Sequence, residues 1–136
     1  MDILKGKILL FTFICCFVSC DRLELNTIEH VFGMDFRKSL TRVLVDECWF
    51  SFNGNGEKVV YYEIKDAYIQ EITEEAMANE FFRGNQASLP HLCSERESKY
   101  LKSDEFLYKT IDKDNESFRL IVDYKTSHLI FYYMVY

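Results

Sequence analysis

The chain has 136 residues, with 16 Lys and Arg against 22 Asp and Glu, a formal charge of −6, 49% apolar residues and 16% aromatics. A single Pro and 5 Gly exclude a collagen-like or low-complexity chain, and the length suits one ordinary domain. The acidic balance excludes a protein built mainly to neutralise nucleic-acid phosphates.

At the start of the chain, Lys5 and Lys7 lead into the apolar run Ile8–Val18. As a helix this run covers about 16 Å of a hydrocarbon core roughly 30 Å thick. It is too short to span a bilayer and has the length of the apolar part of an export signal. A buried N-terminal helix is the alternative. Phe17-Val18-Ser19-Cys20 follows, a Cys preceded by an apolar, a branched and a small residue.

That stretch resembles the lipobox of bacterial lipoproteins. The resemblance implies that residues 1–19 are a signal peptide cut before Cys20, and that the Cys20 thiol carries a diacylglyceryl group beside an acylated amino end. Residues 20–26 would then be a lipidated tether to a membrane of the cell envelope, with the domain facing the periplasm or the exterior. Two or more acyl chains anchor a protein stably, at about 0.8 kcal/mol per buried CH₂. Outside the cytosol, Cys48 and Cys93 are the two remaining thiols, and a disulfide between them is expected. Closing that loop stabilises a fold by about 4 kcal/mol on the chain-entropy argument. Two buried thiols, or a nucleophilic Cys, are the alternatives.

Residues 27–136 read as a single domain. Asn26-Thr27 is expected to cap a short helix carrying Ile28, Val31 and Phe32, which Gly33 interrupts. Strand signals run from Leu40 to Phe52. Asn53-Gly54-Asn55-Gly56 tolerates positive φ and closes a hairpin onto Lys58–Ile64.

A longer helix is expected over about 66–83, with Ile69, Ile72, Ala76 and Phe81 on one side and Glu71, Glu74 and Glu75 on the other. Asp66 or Thr73 would cap it, and Gly84-Asn85 would provide a left-handed stop. The glutamates make either a solvated face or an acidic patch for a basic partner. Pro90 keeps the next stretch irregular, and Ser94-Glu95-Arg96-Glu97 fits a capping box opening a short helix to about Lys102.

Strands Phe106–Ile111, Phe118–Tyr124 and His128–Tyr136 end the chain, separated by turn-forming residues. The last is apolar on both faces, so it is either central and covered or presents aromatics to a partner. The expected fold class is α+β: a largely antiparallel sheet of about five strands with one longer helix and one or two short ones.

Chemistry is sparse. His30, His91 and His128 lack the spacing of a zinc motif, so neither metal nor cofactor is expected. No Gly-x-Ser-x-Gly or Ser-x-x-Lys motif occurs, and Asp46 and Glu47 on one strand would point to opposite faces. No catalysis is expected.

Phe52-Asn53-Gly54-Asn55-Gly56-Glu57, Val122-Asp123-Tyr124-Lys125-Thr126 and Tyr132-Tyr133 are similar to segments of small bacterial lipoproteins of uncharacterised function. This likeness implies a shared fold and no assigned activity. The favoured function is a membrane-anchored protein-binding module of the immunity or inhibitor kind, facing a basic envelope protein or toxin and no nucleic acid. Trp49, Tyr132 and Tyr136 are the candidate contact aromatics, with Glu71, Glu74 and Glu75 as an acidic rim. A structural or accessory envelope lipoprotein is the alternative, and a small hydrolase the least favoured.

Overall fold

The computed structural model describes residues 24–49, 54–88 and 95–136. The expected signal, Cys20, Asn53, Pro90, His91, Cys93 and the Ser94 cap lie outside the described residues. Two compact units meet in the chain at Phe36 and Arg37. In the first, residues 24–32 are helical (α1), so Asn26 and Thr27 sit inside the helix rather than capping it. Gly33 ends α1 as expected, with φ at +72° and its N–H donating to the Glu29 carbonyl at 2.8 Å. Ile28, Phe32, Met34 and Phe36 are buried.

The second unit is a six-stranded antiparallel sheet. Its strands are β1 (Leu40–Trp49), β2 (Gly56–Ile64), β3 (Phe82–Asn85), β4 (Glu105–Lys113), β5 (Glu116–Asp123) and β6 (His128–Val135), in the spatial order β1-β2-β6-β5-β4-β3. A turn of 3₁₀ helix at Asp66–Tyr68 leads into α2 (Ile69–Ala78), and α3 (Glu95–Ser98) precedes β4. The architecture is α+β, with one more strand than expected.

The extra strand is β3, which occupies the end of the expected helix. α2 stops at Ala78 because Asn79 turns its amide back onto the Glu75 carbonyl at 2.7 Å, while Glu80 takes a left-handed φ of 64°. The Phe81 N–H then reaches the Ala76 carbonyl at 3.1 Å, a six-to-one closure that satisfies a helix-end carbonyl. No side chain caps the start of α2; Thr73 bonds back to Ile69 within the helix. Gly84 is therefore not the helix stop. It pairs with Phe106 across β3 and β4, and a Cβ there would lie 2.4 Å from the Phe106 ring. The capping-box stretch yields a single helical turn ending at Ser98 rather than a helix to Lys102.

β6 lies between β2 and β5, and Leu129, Ile130, Phe131 and Tyr132 are all buried. Its apolar residues on both faces are thus those of a covered central strand. Register sorts the side chains into two faces. One face carries Val59, Tyr61, Ile121, Ile130, Tyr132 and Phe106, packed with Leu101. The opposite face carries Val60, Tyr62, Leu120, Val122, Leu129 and Phe131. α2 packs beside β4, burying Ile72 and Ala76, and Lys109 reaches across to the Asn79 carbonyl at 2.8 Å.

Candidate functional site

The candidate site forms where residues 95–103 cross the Tyr132 face of the sheet. Alternation along β1 puts Asp46 and Cys48 on this face and Glu47 on the other, where it accepts from the Trp49 indole N–H at 3.1 Å. Glu57 stands opposite Cys48 on β2. Above them, Arg96 donates Nε to Glu57 at 2.7 Å and pairs through Nη1 with Asp46. Asp46 also accepts from the Tyr100 hydroxyl at 2.8 Å and lies 3.4 Å from the Lys99 ammonium. The second Glu57 oxygen accepts from the Tyr132 hydroxyl at 2.9 Å.

Four donors thus converge on two carboxylates 11 positions apart in the chain. The Tyr100 hydrogen bond foremost, and Arg96 after it, hold the Asp46 carboxyl below the usual carboxylate range against the opposing effect of desolvation.

These groups line a cleft of about 460 Å³ bounded by Asp46, Glu57, Glu95, Arg96 and Lys99. Glu57 and Arg96 also border a second lobe of about 430 Å³, whose other walls include Cys48, Gly56, Met134, Val135 and Tyr136. One lobe is charged and the other largely apolar. Both fall in the size range of small-ligand or side-chain pockets. Deeper on the same face, the buried Glu97 pairs with Arg119, whose Nε donates to Thr110 at 2.9 Å and whose guanidinium lies 5.6 Å from the Tyr132 ring centre.

The expected contact residues do not assemble into one surface. Trp49 is half-exposed at the β1 edge, on the face opposite Asp46, with its ring 6.1 Å from that of Tyr133. Tyr136 is exposed just past β6. Tyr132 is only 3% exposed and its hydroxyl is bound to Glu57, so its ring belongs to the core and offers no outer contact. Glu71 and Glu74 are exposed and Glu75 is half-buried on α2, beside β4. β1 and β4 are separated by three strands, which places this rim about 19 Å from the Trp49 edge at ordinary strand spacing.

Cys48 is exposed and has no disulfide partner among the described residues; Cys93 and Cys20 lie outside them. Among the described residues, no group of three or more His, Cys, Asp or Glu could hold a metal ion, and no helix is long and apolar enough to cross a membrane. The Arg96 cluster had a faint signal in the sequence, since alternation placed Asp46 and Cys48 together. Nothing local pointed to Arg96, which lies 50 positions from Asp46 and 39 from Glu57.

The chain matches no protein-family profile, no curated protein and no solved structure.

Proposed function

We propose that this protein is a bacterial lipoprotein, anchored to an envelope membrane through lipid on Cys20, whose domain is a small protein-binding module of the immunity or inhibitor kind. The observation that carries the binding reading is the two-lobed cleft, where an apolar lobe ending at the exposed Tyr136 meets the charged groups Asp46, Glu57, Arg96 and Lys99. An apolar pocket beside oriented charges suits a protruding partner side chain and its polar neighbours. The net charge of −6 favours a basic partner by speeding encounter. The position of Cys48 in the lobe bordered by Arg96 supports pairing with Cys93, which precedes Arg96 by three positions in the chain.

The test uses the full chain expressed in a bacterium with a labelled fatty acid. Label and membrane retention are expected in the parent and absent in Cys20→Ala; equal retention in both defeats the anchoring reading. Capture of a defined partner from envelope extract is expected to weaken at least tenfold in Tyr136→Ala. Unchanged capture, or none by the parent, defeats the binding reading. Mass spectrometry with and without reductant counts the thiols at Cys48 and Cys93.

A further inference from the structure

Residues 95–103 lie across the sheet face without joining the sheet. The Lys99, Tyr100 and Leu101 amides donate to Glu95, Glu97 and Ser98, all within the same stretch. A four-residue helix has no stability of its own. Side chains attach it: Arg96 to Asp46 and Glu57, Lys99 and Tyr100 to Asp46, Glu97 to Arg119, the Gln86 amide donating to the Ser103 carbonyl at 2.7 Å, the Tyr100 ring 5.6 Å from that of Tyr61, and Leu101 in the apolar cluster. Most of these attachments are charged, and Asp46 alone receives three.

Opening returns these charges to water. The fully buried Glu97 regains on opening the hydration it gave up to pair with Arg119, so separating the strap is less unfavourable than separating an apolar layer of the same area. The central strands beneath have no comparable weak point, because β5 and β6 are each hydrogen-bonded on both sides.

We infer that residues 95–103 form an ion-pair-latched strap that opens as a local unit while the sheet stays folded, uncovering Asp46, Glu57 and the apolar residues around Tyr61. Arg96 then acts as the protein's own occupant of the two carboxylates. A cationic partner group competing for Asp46 and Glu57 favours the open form, and opening in turn strengthens its binding, since the coupling is reciprocal. That regulatory consequence rests on the binding reading above; the opening itself does not.

Hydrogen exchange of the full chain, followed by mass spectrometry with no partner present, tests the latch. Amides 95–103 are expected to exchange faster than those of β5 and β6. Arg96→Gln should speed the strap about five- to tenfold, the worth of one or two partly exposed charge-assisted bonds, and leave β5 and β6 unchanged. A common rate for strap and central strands in the parent, or an unaltered strap rate in Arg96→Gln, overturns the inference.

If Arg96→Gln does not fold, the parent in about 1 M salt decides, where the screening length falls to about 3 Å. The strap alone should then accelerate, and an equal or absent response overturns the latch. Because no partner takes part, this experiment can fail while capture succeeds, and the reverse.

Discussion

Glu97, with no exposed surface, sets its carboxylate against the Arg119 guanidinium from within the single helical turn of α3. Arg119 belongs to β5 and Glu97 to α3, so the pair fixes where the connection into β4 crosses the sheet. Such a pair restricts the strap to one position more than it adds stability, because both ions must leave water to meet.

Removing one partner should therefore be far worse than removing both. Glu97→Gln leaves a cation without its counter-charge and is expected to cost about 3–5 kcal/mol in urea unfolding, whereas the double change Glu97→Met, Arg119→Met should fall within about 1 kcal/mol of the parent. A double variant as unstable as the single one would show that the ions stabilise the fold outright.

At Gly84, the Phe106 ring lies where a side chain would begin, with a Cβ 2.4 Å from Cε2. Gly84→Ala is expected to cost about 1–3 kcal/mol by overpacking. Adding Phe106→Leu should give a combined loss smaller than the sum of the two single losses, because the two positions share one contact. Additive losses would place the cost of the Gly84 change elsewhere.

The left-handed Glu80 makes the opposite prediction. Its φ of 64° ends α2 at the position where glycine is most at ease. Glu80→Gly should stabilise the protein by up to about 1 kcal/mol, raising its thermal midpoint. A lower midpoint would mean that the Glu80 side chain contributes more than the backbone strain costs.

Tyr133 and Asp46 set opposite ends of the pH range. Burial first, then the 2.6 Å hydrogen bond to Glu116 and that carboxylate's charge, push the Tyr133 phenol up to about 12. The folded state thus holds this proton more tightly than the unfolded chain, so its stabilising contribution is complete below about pH 10 and lost as pH rises towards 12. Absorbance titration should show Tyr133 ionising late, alongside Tyr61, whose phenol burial also pushes up, and Glu116→Gln should bring only the Tyr133 step earlier. Asp46 works in the other direction. Its depressed pKa contributes stability present above the ordinary carboxylate value and lost as pH falls through the folded value. Asp46→Asn should flatten the acid limb of a stability–pH curve; an unchanged limb would remove Asp46 from that role.

Local signals recovered the hairpin strands flanking Gly54 and the turns at Asp114 and Ser127, whereas for β6 they left a covered central strand and an exposed aromatic face both open. The recovered features depend on neighbours within a few positions. The end of α2 was misread because Gly84 offered the familiar stop, while the real one uses Glu80 in a conformation its residue type disfavours. β3 was missed because Phe82-Arg83-Gly84-Asn85 has little strand character of its own and is held by pairing with β4.

Periodicity and turn chemistry, read along the chain, were enough for an antiparallel α+β domain, because side-chain alternation and positive-φ residues are local properties. The assembly of Arg96 with Asp46 and Glu57, the burial of Glu97 against Arg119, and the loss of Tyr132 to the core were decided only by the fold. Those relations depend on which distant strands become neighbours, and long-range charge pairing leaves no periodic trace in a sequence.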